Sequence, residues 1–218
     1  MRLGIFGGTF DPIHLGHLRI AEEVCEECNL EKVLLIPGSL PPHKDFKNLT
    51  PFTDRLSMIR MAAKLSPLLD VLDLEARREG LSYSIETMRE IHRIYDAGLQ
   101  LFFIIGTDAF MEIKTWKEYK KLFQEAHFIV IKRPGFSFET VKPFVLSLSA
   151  GFKEGARSNT FLNPSGNTLT YKEATLMEIS STKIRETVAA GKSIRFLVPE
   201  SVETYISEKG LYRIHEHA

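Results

Sequence analysis

Six short apolar runs, at residues 3–6, 32–36, 69–72, 101–105, 128–131 and 176–179, constrain this chain most, because helical stretches lie between them. Parallel neighbours in a sheet need a crossover connection, and a helix supplies it. The expected helices occupy residues 15–28, 53–65, 85–95, 138–149 and 181–190, and one more runs over 199–212 to a C-cap-like Gly210. The fold class that follows is α/β, a doubly wound and mostly parallel sheet with a small C-terminal helical part. A chain of 218 residues that is 44% hydrophobic can bury one substantial core. Residues 150–170, rich in Gly, Ser and Asn, read as a long loop or an insertion.

Lys plus Arg and Asp plus Glu both number 28, so no broad attraction to a nucleic acid polymer or a membrane follows, and any anion site must be local. The opening apolar run is too short for a signal peptide, and none approaches the ~20 residues of a membrane span. The chain therefore reads as cytoplasmic, with a homo-oligomer left open. Cys25 and Cys28 have a Cys-x-x-Cys spacing, but a structural metal site wants four ligands. Their neighbours Glu22, Glu23, Glu26 and Glu27 read as the wet side of a helix, so ordinary thiols in a reducing compartment are expected. His215 and His217 read as solvated tail residues.

Ligands of doubly wound folds bind beyond the carboxyl ends of the strands. Directly after the first run comes Gly7-Gly8-Thr9-Phe10-Asp11-Pro12-Ile13-His14-Leu15-Gly16-His17. The glycines let backbone N–H groups approach a ligand, and the following helix N-terminus favours negative charge. His14 and His17, three apart, would share one helix face, with Gly16 leaving space beside it. An isolated His-x-x-His pair is usually structural; the whole segment after a leading strand favours a phosphate site.

This segment resembles the signature of nucleotidylyltransferases built around a His-x-Gly-His motif. More than 160 residues later, Ile179-Ser180-Ser181-Thr182-Lys183-Ile184-Arg185 resembles the Ile-Ser-Ser-Thr-x-Ile-Arg segment of nicotinate mononucleotide adenylyltransferases. Read from the residues, Ser180, Ser181 and Thr182 are natural N-caps, while Arg185 on the first turn could grip phosphates. Pro41-Pro42-His43-Lys44 resembles a further family loop, in which Lys44 adds positive charge; alone, it would be surface decoration. Gly106 and Asp108 follow the fourth run, where the carboxylate either accepts from a ribose diol or caps a helix. Arg133 leaves the next run as a candidate anion contact.

Two features bear on the acceptor. Trp116, the single tryptophan, sits where an aromatic of the resembling family stacks on a pyridine ring, against the bland alternative of core packing. Ser82-Tyr83-Ser84-Ile85-Glu86-Thr87 resembles the family's Ser-Tyr-Thr-x-Asp-Thr, which helps to bind the nicotinate carboxylate, and departs from it at Ser84 and Glu86. The resemblance implies a Rossmann-like core over 1–190 with a helical extension over 191–218. It implies that ATP and nicotinate mononucleotide are the substrates, with Mg2+ arriving on ATP. Gly7, Gly8, Thr9, Phe10, Gly106, Asp108 and Ile179–Thr182 would bind ATP. His14, His17, Lys44 and Arg185 would act on its phosphates, and Tyr83, Ser84, Trp116 and Arg133 would bind the acceptor. The rivals are another acceptor such as nicotinamide mononucleotide or pantetheine phosphate, a class I aminoacyl-tRNA synthetase fragment, and a non-catalytic nucleotide-binding module. The short chain, and the absence of a Lys-Met-Ser-Lys-Ser-like loop, speak against the synthetase.

Overall fold

The computed structural model describes residues 1–39, 49–78, 80–95 and 98–213. In chain order they form β1 (Arg2–Gly8), α1 (Leu15–Glu27), β2 (Lys32–Pro37), α2 (Phe52–Ala63), β3 (Leu69–Val71), α3 (Ser84–Ile94), β4 (Gln100–Gly106), α4 (Thr107–Met111), α5 (Tyr119–Glu125), β5 (His127–Ile131), α6 (Phe138–Leu146), β6 (Lys153–Glu154), β7 (Thr160–Leu162), β8 (Thr168–Lys172), α7 (Ser181–Ala189) and α8 (Glu200–Lys209). The sheet order is β3-β2-β1-β4-β5-β8-β7-β6. Its first six strands run parallel, and β7 and β6 are antiparallel. None of the described helices is long and apolar enough to cross a membrane.

Continuous apolar strands are the mark of a sheet covered on both faces, and β4 shows how the faces divide. Leu101, Phe103 and Ile105 join a core with Ile85 and Met88 of α3, Phe123 of α5 and Val141 of α6. Phe102 and Ile104 point the other way, toward Ile20 of α1, Met58 of α2, Ile184 of α7 and Val202 of α8. The chain crosses from one layer to the other between β1 and β4, and a crevice opens there beyond the strand ends.

Two sequence expectations are corrected. Residues 176–179 form no strand, because β8 has taken the edge of β5. In β8, buried Leu169 and Tyr171 alternate with threonine and lysine, the period-2 pattern of a strand. The segment 176–179 lacks that partner and instead crosses the start of α1: the Met177 carbonyl lies 3.5 Å from where a Cβ on Gly16 would stand. The stretch 150–170 is no loose insertion either. It carries β6 and β7 and starts β8, with Phe161 fully buried. Its Asn163 amide donates to the Phe123 carbonyl at 2.6 Å, while its own carbonyl accepts from Ser165 and Asn167 N–H groups at 3.1 and 3.0 Å. Gly210 ends α8 in the left-handed region, as its composition suggested.

Arg55 of α2, 1% exposed, fixes the loops at this crevice. Its guanidinium donates to the carbonyls of Thr9 at 2.7 Å, Gly38 at 2.9 Å, Thr50 at 3.0 Å and Ser39 at 3.5 Å. Burial lowers its pKa, and the nearby Asp11 charge opposes that shift. Asp11, itself buried, accepts from the Tyr212 hydroxyl at 2.7 Å and the Thr50 N–H at 3.2 Å. Arg55→Met should cost on the order of 3 kcal/mol, since it strands buried carbonyls and the Asp11 carboxylate. A melting temperature within about two degrees of wild type would contradict this account.

Candidate active site

His14 is not on the helix face that a three-residue spacing suggests; it is the N-cap of α1, with extended backbone. Its Nδ1 accepts from the His17 N–H, and the His17 Nδ1 accepts from the His14 N–H, both at 3.3 Å. The rings consequently stack at 3.6 Å and 22°. An Nδ1 that accepts cannot carry the proton, so in this pairing each neutral imidazole bears it on Nε2. Burial, with the Arg133 charge adding to it, lowers the His14 pKa to about 4, keeping that ring neutral at physiological pH. The edges of Phe6 and Phe10 wall the His17 ring; Phe10 takes a positive φ to do so. A Cβ on Gly16 would stand 3.2 Å from the His14 ring, so any larger residue here would crowd the stack by a few tenths of an ångström.

The late serine-rich motif docks on this turn. Ser180 caps α7 by accepting from the Lys183 N–H. Ser181 donates to the Pro12 carbonyl at 2.9 Å, and Arg185 donates to the Asp11 carbonyl at 2.8 Å and to the Thr182 hydroxyl at 3.3 Å. Ile179 packs against the core that holds Phe10. Gly106 ends β4 and is itself the N-cap of α4, so Asp108, two residues on, is not the cap. A Cβ on Gly106 would fall 2.5 Å from the Asp108 carboxylate and 3.1 Å from Arg133 Nε. That Nε is buried with no hydrogen-bond partner among the described residues. Arg133 thus stands with His14 and Asp108, and it is not among the residues that line the cavity holding Tyr83, Ser84 and Trp116. Lys44, with its Pro41-Pro42-His43 neighbours, lies outside the described residues, as do His215 and His217.

A cavity of about 520 Å³ opens on the other sheet face, lined by Gly7, Gly8 and Thr9 at one side and by Tyr83, Ser84 and Trp116 at the other. Trp116 meets Phe103 edge-on at 6.1 Å and also lines the cavity, so it is packed on one side and open to the cavity on another. Tyr83 begins α3 with no side-chain cap. The Glu86 and Thr87 N–H groups turn back to the Tyr83 carbonyl, and the Ser84 and Ile85 N–H groups at the helix start have no partner there among the described residues.

Sequence reasoning missed Glu75, a buried carboxylate on this cavity wall. It accepts from the Thr87 hydroxyl at 2.8 Å, and Thr87 in turn accepts from Arg78 at 2.5 Å. Burial pushes the Glu75 carboxyl up, against hydrogen bonds from Thr87, Ser82 and the Ser39 backbone. Within Glu75-Ala76-Arg77-Arg78 nothing in the spacing separates it from a solvated charge run. The cysteines are thiols at the end of α1, both pushed up chiefly by burial, with Cys25 donating to the Leu30 carbonyl at 3.3 Å.

Residues 5–187 match the cytidylyltransferase-like family. The chain is 42% identical over 221 residues to a probable nicotinate-nucleotide adenylyltransferase of Syntrophotalea carbinolica, covering 100% of both. It is 44% identical over 218 residues to one from Desulfatibacillum aliphaticivorans, covering 97% of this chain and 100% of that one. Among solved structures, the Plasmodium falciparum nicotinic acid mononucleotide adenylyltransferase complexed with NaAD superposes with a TM-score of 0.71 at 20% identity, covering 97% of each chain. At that identity the likeness speaks for the fold.

Because the folded His14 pKa of about 4 lies below the ordinary 6.5, the unfolded chain binds more protons between those values. The His14 contribution to stability is therefore complete above about pH 6.5 and is lost as the pH falls toward 4. NMR of the ring should show His14 untitrated from pH 8 down to about 5.5. A midpoint near 6.5 would refute the buried neutral ring.

Proposed function

The chain belongs to the cytidylyltransferase-like family and stands among its nicotinate-nucleotide adenylyltransferases, and on that footing we propose how it transfers the adenylyl group of ATP to nicotinate mononucleotide. The products are nicotinate adenine dinucleotide and pyrophosphate, a step of NAD biosynthesis. The observation that carries the reading is that one turn serves both sides. Gly7, Gly8 and Thr9 edge the aromatic cavity, and the same turn runs on to the stacked His14–His17 pair.

In this reading the pyridine ring enters the cavity beside Trp116 and Tyr83, with its carboxylate toward the free Ser84 and Ile85 donors. ATP lies across the turn, its α-phosphate facing the Nε2–H groups of His14 and His17 and the Thr9 segment. Gly106, Asp108, Phe10 and Ile179–Thr182 form its bed, and Asp108 receives the ribose. An acceptor phosphate oxygen attacks the α-phosphorus in line, its bond forms as the bond to the β-phosphate oxygen breaks, and pyrophosphate departs. The nucleophile is already anionic, so the protein aligns and neutralises rather than removing a proton. Arg133, with its unpartnered Nε, meets the joined phosphates. Arg185 and Lys44 attend the outgoing pair, Arg185 being held in place by the Asp11 carbonyl. Mg2+ enters as part of the MgATP substrate, carried mostly by phosphate and water.

Purified protein given ATP should release pyrophosphate with nicotinate mononucleotide at least tenfold faster than with nicotinamide mononucleotide or pantetheine phosphate. Faster release with pantetheine phosphate would overturn the assignment. His17→Ala should lower turnover about 100-fold, the ~3 kcal/mol of one transition-state donor, in a folded protein; wild-type turnover would remove His17 from the mechanism. Trp116→Ala should raise the KM for nicotinate mononucleotide about five- to tenfold, the lower part of the range for a lost stacking aromatic, and leave that for ATP nearly unchanged. Equal rises in both constants, with a large drop in melting temperature, would reduce Trp116 to packing.

A further inference from the structure

We propose that Lys117 reads the charge on the acceptor ring and gives a ring carboxylate its advantage over the corresponding amide; this rests on the pyridine-nucleotide reading above. Among the described residues that line the cavity, Lys117 is the sole cation, and it shares the walls with the carboxylates Glu75 and Glu112. An acidic ring entering between those groups needs a counter-charge. The helix N-terminus at Ser84 supplies only partial charge, which serves a carboxylate and an amide oxygen alike in geometry and differs only in degree. A full ammonium separates the two far more strongly.

The position of Lys117 is defined from two sides. Its ammonium lies 4.3 Å over the Tyr83 ring and donates to Glu86 at 2.6 Å. Tyr83 lines the cavity too, so the cation–π contact keeps the charge at the wall rather than out in solvent. Lys117 also follows Trp116 directly, so a ring covered by the indole has this ammonium on the adjoining residue. Glu86 does not depend on Lys117 alone, because Arg78 stands 3.6 Å from its other oxygen. Lys117 can therefore turn from Glu86 to a substrate carboxylate without leaving Glu86 unpaired. The plain alternative is a half-exposed surface ion pair of no consequence for the reaction.

The test compares wild type, Lys117→Met and Lys117→Arg in kcat/KM for nicotinate mononucleotide and nicotinamide mononucleotide, with the KM for ATP and the melting temperature of each. Lys117→Met should lower the value for the acid about tenfold, leave the amide and ATP within about twofold, and melt within a few degrees of wild type. Lys117→Arg should restore most of the preference, and the wild-type preference should shrink with added salt. Loss shared equally by both acceptors, or an unchanged ratio, would overturn the role of Lys117. A wild type that uses neither pyridine nucleotide but accepts another phosphorylated compound would instead overturn the function on which the proposal stands.

Discussion

A guanidinium taken out of water must find partners for its whole fork, and at Arg55 those partners are the carbonyls that define the site. Arg is not neutralised at any ordinary pH, so burial at this point binds the chain to a fixed arrangement of acceptors. Three of the four carbonyls, from Thr9, Gly38 and Ser39, belong to the segments that leave β1 and β2. The two parallel strands would hold those segments only at their roots. With Arg55 between them, the edges of the crevice become one unit, and Asp11 adds both charge and a handle for the C-terminal chain.

The sheet separates two kinds of chemistry that meet at its end. One layer offers neutral donors, made so by the mutual capping of His14 and His17; the other offers an apolar box with aromatic walls and a helix N-terminus. Preorganisation on the first side costs little, because the groups that set the tautomer are backbone N–H groups at the start of α1, the His17 N–H being shared with the His14 carbonyl at 3.0 Å. The capping bonds and the ring orientation are a single arrangement, so helix stability and ring geometry cannot drift apart.

Much of this was legible beforehand. The long apolar runs of β1, β2, β4 and β5 leave no other reading, since strands buried on both faces need no alternation. The segment Gly7–His17 pointed to a phosphate turn through glycines and histidines placed after a strand, and the structure stacks those histidines at the start of α1. The errors have physical sources. Residues 176–179 are as apolar as a strand, but composition cannot tell whether an edge is free to pair. The 150–170 stretch looked like a loop because its strands are short and its turn is built from Asn163 side-chain bonds rather than apolar residues. Arg55 did leave a trace: with Met58, Ile59 and Ala62 it completes an i, i+3, i+4, i+7 stripe, and a charge on such a stripe signals a buried polar anchor. Glu75 left none, because its partners Thr87, Ser82 and Ser39 meet it only in the folded chain.

The bond from the Tyr212 hydroxyl to Asp11 spans 201 positions of the chain. During synthesis the N-terminal elements emerge and pair first, while this tie waits for a residue made 201 positions later. The emerging polypeptide can thus hold much of its sheet while the Asp11 carboxylate has the Thr50 N–H but not yet the Tyr212 hydroxyl. Newborn copies pass through an interval in which the sheet is shaped but the turn after β1 is not yet tied to the C-terminal part of the fold, and the arrival of Tyr212 ends it.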